Sequence, residues 1–123
     1  MRYLILLKGS RMTQPPAPGL MEAIIALGAE ATAAGALLDT AGLAPSEAAA
    51  RVELTGGQLS VMDGPFAEAK EFISYALYQV HTKEEAVHWA SRFMAAHREH
   101  APGWDGVAEV LKVFGPEDFA PPA

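Results

Sequence analysis

The chain contains two runs in which both alternating faces of a strand would be apolar. Every side chain from Tyr3 to Leu7 is aliphatic or aromatic, and residues 73–80 repeat the pattern with Ser74 and Gln79 as the polar positions. Such two-sided runs are typical of strands that are covered on both faces of a sheet. Both segments therefore predict central strands.

Two other segments carry the spacing of amphipathic helices. The first has one apolar stripe and ends at Gly35, a residue suited to a helix C-terminus; the stripe consists of Leu20, Ile24, Leu27, Ala31 and Ala34. Gly28 within this helix indicates close packing on the sheet. The second helix begins at the capping box Thr82-Lys83-Glu84-Glu85 and ends at Ala101-Pro102-Gly103. Its predicted inner stripe is Val87, Ala90, Phe93, Met94 and His97.

A hairpin is predicted in the middle of the chain. Residues 51–54 and 59–62 alternate between apolar and polar positions around Thr55-Gly56-Gly57-Gln58, whose paired glycines can adopt the positive φ angles of a tight turn. Before it, residues 36–38 predict a short extended segment and residues 39–49 an irregular surface connection.

The element order, completed by a last strand over residues 107–114, is strand, helix, hairpin, strand, helix, strand. This order predicts an α+β fold of the ferredoxin-like type with a small insertion, in which one antiparallel sheet carries two helices on one face. We expect a single domain over residues 1–114 and a proline-rich C-terminal tail, loosely held, over residues 115–123. Because two helices can cover one face of the sheet, a second copy is expected to pack on the other face, sheet to sheet, in a homodimer.

Composition and charge exclude several classes of protein. The 123 residues carry a formal net charge of -6, and the nine Lys and Arg residues are scattered, which argues against binding to nucleic acid. The absence of cysteine suits a cytoplasmic location. The N-terminal apolar run is too short to span a membrane and lacks a cleavage site, so no membrane association is expected. The sequence has no phosphate-binding glycine loop or serine elbow, and no cofactor is predicted.

Candidate chemistry concentrates in residues 63–71, which read Asp63-Gly64-Pro65-Phe66-Ala67-Glu68-Ala69-Lys70-Glu71. One interpretation is local structure, in which Asp63 caps a helical turn that starts at Pro65 and Gly64 supplies a positive φ. The other is a polar site, in which Asp63 ends one strand and Lys70 precedes the next, so that a carboxylate and an ammonium group meet and transfer a proton or anchor a ligand. For that site we predict Asp63 and Lys70 as the catalytic pair; the predicted ligand contacts are Phe66, Glu68, Glu71 and Tyr75.

His97 and His100 lie three residues apart at the end of the second helix. This spacing could supply two metal ligands, but no third ligand is near them in the sequence. A solvated helix C-terminus, where cationic histidine is favoured, is the simpler interpretation. No metal site is therefore predicted.

Asp63-Gly64-Pro65-Phe66 and the residues that follow resemble the signature of the DGPF or YCII-related family, which usually has threonine where this chain has Ala69. Gly35-Ala36-Leu37-Leu38 and Gly42-Leu43-Ala44-Pro45 also resemble that family. The resemblance implies a dimeric ferredoxin-like α+β barrel but no single reaction. Some members are thought to use an early histidine with an aspartate, whereas every histidine of this chain lies at or beyond His81.

Two functions therefore stay open. The chain is either a small-molecule enzyme or ligand-binding protein, with a polar site at residues 63–71 and the exposed side of the sheet, or a non-catalytic accessory protein that acts through protein contacts. The second function is implied by resemblance, because members of the family are often encoded beside transcription sigma factors.

Overall fold

The computed structural model describes residues 1–10 and 15–119. Its strands are β1 (Arg2–Gly9), β2 (Leu37–Gly42), β3 (Ala50–Thr55), β4 (Gln58–Asp63), β5 (Glu71–Gln79) and β6 (Gly106–Val113). Its α-helices are α1 (Pro18–Ala33) and α2 (Lys83–His100), and short 3-10 turns occur at Ser46–Ala48 and Pro116–Phe119. The proline-rich loop before α1 and the C-terminal tail lie partly outside the described residues.

The main sheet has the strand order β2-β5-β1-β6, and neighbouring strands in it are antiparallel. With α1 between β1 and β2 and α2 between β5 and β6, this is the ferredoxin-like α+β fold that the sequence predicts. β1 lies between β5 and β6, which confirms it as a central strand. Ile24 of α1 and Phe93 of α2 line the same small cavity as Ile5, so both helices lie on one face of the sheet.

The hairpin is separate from the main sheet, and here the prediction was wrong. β3 and β4 form a two-stranded sheet of their own, while the fourth strand of the main sheet is β2. β2 covers residues 37–42, most of which were expected to be irregular. It is an edge strand with nearly every residue exposed, so it lacks the apolar alternation that a sequence pattern can detect. The hairpin is thus an insertion between β2 and β5.

The hairpin itself matches its prediction. Gly56 and Gly57 adopt φ angles of 57° and 79° and connect the two strands. β4 ends at Asp63, on the apolar side of the strand. Every residue of β3 and β4 except Arg51 is exposed.

The core lies between the helices and one face of the main sheet. Tyr3, Ile5 and Leu7 alternate along β1 into this core, and Leu7 is 1% exposed. Val87 was expected in the core but is 43% exposed, because α2 turns Ala86 inward instead. The other buried apolar residues are Leu20, Leu27, Ala31, Ala36, Tyr78, Val80 and Ala90. Their burial holds both helices on the sheet.

The opposite face of the main sheet carries many apolar side chains around the Lys8–Glu109 ion pair, and no other element covers it in the part of the chain that the structure describes. Leu4 and Leu6 alternate with the core residues of β1 and therefore lie on this side. The cross-strand register places further apolar residues beside them on β5 and β6. We call this surface the open sheet face; it consists of Leu4, Leu6, Phe72, Leu77, Val107 and Leu111.

The helix ends follow the signals in the sequence. α1 is followed by Gly35, whose φ is 74°. At the start of α2 the Glu85 N–H donates to Thr82 Oγ1 at 3.2 Å, and the Glu85 carboxylate accepts from the N–H of His81 rather than that of Thr82. Among the described residues, no helix has both the length and the hydrophobicity that a membrane crossing requires.

Trp104 covers the end of the main sheet where β1 ends and β6 begins. Its indole N–H donates to the Ser10 carbonyl oxygen at 2.9 Å. The ring lies directly on the backbone of Gly9 and Gly106, and a Cβ atom at either glycine would overlap it. Both positions therefore require glycine for as long as the indole stays in place.

Candidate functional site

The segment that follows β4 is extended and docks on the loop between β2 and β3. The predicted helical turn does not form at Pro65, whose peptide bond with Gly64 is cis. Instead the Phe66 N–H donates to Ser46 Oγ at 3.3 Å, and the Glu68 N–H donates to the Phe66 carbonyl oxygen at 2.9 Å. The first hydrogen bond holds the segment on the loop, and the second lies within the segment.

Gly64 is required by space rather than by its backbone angles. Positive φ angles among the described glycines occur at other positions, so the predicted reason for glycine here was wrong. The Gly64 N–H donates to the Ala49 carbonyl oxygen at 2.8 Å. A Cβ atom on Gly64 would overlap the carbonyl oxygen of Ser46, well inside van der Waals contact. The segment can lie on the loop because this position has no side chain.

A pocket of about 460 Å³ lies between this segment and the loop. Residues 43–46 and 48–50, from the loop and the start of β3, form one wall, and most of their side chains are aliphatic. The other wall is formed by Arg51, Phe66, Glu68, Glu71 and Phe72. We call this site the Arg51 pocket. Its volume falls within the range of about 300–1,000 Å³ that is usual for small-molecule sites.

Arg51 is held in the pocket by two contacts. Its guanidinium carbon lies 4.0 Å from the centre of the Phe66 ring, and Nη2 donates to Glu68 Oε1 at 2.6 Å. Together these contacts orient the guanidinium. Because 37% of the Arg51 side chain and 51% of the Glu68 side chain are exposed, the ion pair contributes to orientation more than to stability. Glu68 accepts from one of the five N–H donors of the guanidinium.

The structure does not bring the predicted catalytic pair together. Asp63 and Lys70 are both exposed, and within the described residues they form no ion pair with each other. Neither belongs to the lining of the Arg51 pocket. Three of the predicted ligand contacts, Phe66, Glu68 and Glu71, do line it. The roles of all these residues stay predictions.

A model of the YCII-related domain matches residues 1–103 of the chain. The chain belongs to the YCII-related family. No curated protein sequence matches it. The matched region extends from β1 through α2 and ends before β6. The Arg51 pocket therefore lies entirely within the YCII-related part of the chain.

Tyr75 of this YCII-related domain does not line the Arg51 pocket. Its hydroxyl donates to Asp39 Oδ2 at 2.9 Å, and the Thr40 hydroxyl donates to the Tyr75 carbonyl oxygen at 2.8 Å. The hydrogen bond to Asp39, together with the charge of that carboxylate, raises the pKa of Tyr75. These contacts link edge strand β2 to β5, so the predicted ligand contact at Tyr75 is spatially separate from the other three.

His97 is buried, and the interpretation of a solvated helix end was wrong for this residue. It is 5% exposed, and its Nδ1 lies 2.9 Å from the Phe93 carbonyl oxygen, to which it donates. The imidazole also packs against the Phe93 ring and the Trp104 ring, with centroids 4.7 and 4.9 Å away. In residues 1–10 and 15–119, no group of three or more histidine or acidic side chains is placed to hold a metal ion. His97 is a packing residue of the YCII-related domain.

Sequence reasoning did not select Arg51 or Ser46. Arg51 and Lys70 are the two cationic side chains between residues 12 and 80, and this isolation is a signal that could have drawn attention to Arg51. Ser46 gives no comparable signal, because its contact with the Phe66 N–H joins residues 20 positions apart. The pocket is formed by a loop and a segment whose contact only the folded chain reveals.

Proposed function

We propose that this YCII-related protein is a small-molecule enzyme or ligand-binding protein whose site is the Arg51 pocket. The observation that carries the proposal is the guanidinium of Arg51, oriented by Phe66 and Glu68 inside a pocket of about 460 Å³. An oriented polar group within a mostly apolar concavity is the usual construction of a ligand site.

The lining indicates the class of ligand. The loop side chains are mostly aliphatic, and Phe66 and Phe72 add aromatic surface, so the body of the ligand should be apolar. The planar guanidinium offers paired N–H donors that match the two oxygens of a carboxylate. Replacing Glu68 by a ligand carboxylate at Arg51 costs little, because the ion pair is partly exposed. We infer a small apolar molecule with one carboxylate.

Conversion of this molecule would need a group that transfers a proton. We propose Asp63 and Lys70 for that step. Asp63 ends β4, and Lys70 directly precedes β5, so both lie at the ends of the segment that forms one wall of the pocket. A carboxylate and an ammonium group supply a base and an acid without a cofactor.

A thermal-shift screen with aromatic and short-chain aliphatic carboxylates tests the site. A ligand held at 100 times its Kd stabilises the folded protein by about 2.7 kcal/mol. We expect Arg51→Gln to abolish the shift and the matched variant Arg98→Gln, on the exposed side of α2, to retain it. Lys70→Met should keep the melting midpoint of the free protein and lose turnover of any carboxylate that is converted. A complete panel without a shift, or an Arg51→Gln variant that binds like the wild type, would contradict the proposal.

A non-catalytic accessory role is the second candidate, and the exposed apolar surface favours it. Large exposed apolar patches mark contact sites for other proteins, and the open sheet face includes Phe72, which is 51% exposed. The family resemblance links this role to sigma-factor signalling. Failure of the carboxylate screen would make this function the better one.

We also propose that a second copy of the chain packs on the open sheet face. A two-fold dimer covers the same apolar face on both molecules. Sedimentation at micromolar concentration should give twice the chain mass of 13.0 kDa. A monomer under these conditions would show that another protein, or none, covers the face.

A further inference from the structure

One face of the inserted hairpin is apolar apart from Asp63, which lies at the end of β4. Val52 pairs with Val61 across the two strands, and Leu54 pairs with Leu59. These four side chains are 65%, 71%, 70% and 72% exposed, in the same order. We call them the hairpin apolar face. The side chains that alternate with them on the other face are Arg51, Glu53, Thr55, Gln58, Ser60 and Met62.

A hairpin of this kind needs another surface to pack against its apolar face. An isolated two-stranded hairpin is at best marginally stable in water, and regular alternation of apolar and polar residues is the pattern of a strand pair with one buried face. Among the described residues this burial is missing, because all four side chains of the hairpin apolar face are at least 65% exposed. Within the described chain, therefore, no element packs on the hairpin apolar face or on the open sheet face.

The apolar area of the hairpin indicates that the hairpin apolar face and the open sheet face belong to one interface. At about 100 Å² for each buried aliphatic side chain, the hairpin apolar face, roughly two-thirds exposed, offers on the order of 300 Å². A stable interface needs about 800 Å² from each partner. The hairpin alone is too small, so a further apolar surface must contribute, and the open sheet face is that surface.

We propose that the hairpin is an exchanged arm, whose apolar face lies across the open sheet face of a second copy of this chain. Under two-fold symmetry each copy gives one arm and receives one, so both bare surfaces of both molecules are buried at once. The opposite, polar face of the arm carries Arg51, which lines the pocket of its own chain. The partner thus holds in place the strand that positions the guanidinium. This last consequence rests on the proposed function, whereas the exchange itself does not.

Cross-linking tests the exchange directly, because the natural chain has no cysteine. One copy carries Leu59→Cys on the arm, and the other carries Leu4→Cys on the open sheet face. A short bis-maleimide should join the two variants when they are mixed, at a yield at least about tenfold above that of Leu59→Cys with itself. Links between two arms alone, or no links in the mixture, would overturn the proposal. No ligand is involved, so this result is independent of the carboxylate screen.

Charge on the arm provides a second test. Leu59→Glu should weaken dimerisation at least about tenfold in sedimentation, because a charge would be buried against apolar side chains. Gln58→Glu is the matched control, since it adds the same charge to the neighbouring residue on the polar face and should leave the dimer unchanged. Far-UV circular dichroism confirms that both variants fold. A folded Leu59→Glu variant that dimerises like the wild type would overturn the proposal.

Discussion

At the scale of a residue, Gly64 shows how closely the segment that follows β4 lies on the loop between β2 and β3. The position has no positive φ, and what it requires is space beside the Ser46 carbonyl oxygen. A glycine before proline is visible in the sequence. The carbonyl group that excludes a side chain comes from a loop 18 positions earlier in the chain, and no local pattern predicts it.

Gly64→Ala should therefore destabilise the protein by about 2–3 kcal/mol, as overpacking against rigid backbone does. Gly42→Ala is the matched control, because Gly42 also has no positive φ and a Cβ there would meet nothing within 4 Å. Chemical denaturation measures both free energies of unfolding. Equal values for the two variants would mean that the segment shifts away from Ser46 at little cost.

At the scale of elements, α1 contains a glycine that packing does not require. The sequence predicted close packing of Gly28 on the sheet, but a Cβ atom there would make only an ordinary contact of 3.9 Å with Leu37. Gly28→Ala should therefore stabilise the protein by about 0.5–1 kcal/mol, through helix propensity. A rise in the melting midpoint checks this. A fall would show that the helix approaches the sheet more closely in solution.

The strands show which elements a sequence can reveal. β1 was predictable because it is apolar on both faces, and the hairpin was predictable because it alternates around Gly56-Gly57. β2 was not, because as an exposed edge strand it needs only hydrogen bonds to β5, such as that between Thr40 and Tyr75. One sheet was therefore predicted, whereas β2 is the fourth strand of the main sheet and the hairpin forms a sheet of its own.

At the scale of the whole molecule, the fold could be predicted and the candidate site only in part. Element order and helix ends are local properties, and they led to the ferredoxin-like arrangement. The Arg51 pocket depends on contacts between distant residues, such as the pair of Arg51 and Glu68. The five residues predicted in segment 63–71 have different positions. Phe66, Glu68 and Glu71 line the pocket, whereas Asp63 and Lys70 do not line it.

The packing of the Trp104 indole on Gly9 and Gly106 restricts the order in which these three positions can change during evolution. While the indole is present, Gly106→Ala should cost about 1–3 kcal/mol, because the new methyl group would overlap the ring. In a Trp104→Leu background the same substitution should be nearly neutral, which gives a coupling energy of about 1–3 kcal/mol in a double-mutant cycle. Additive effects would show that the ring moves aside freely. Since a larger residue at either glycine is acceptable only after the tryptophan is lost, relatives of this chain that have the tryptophan should retain both glycines, and the three positions should vary together.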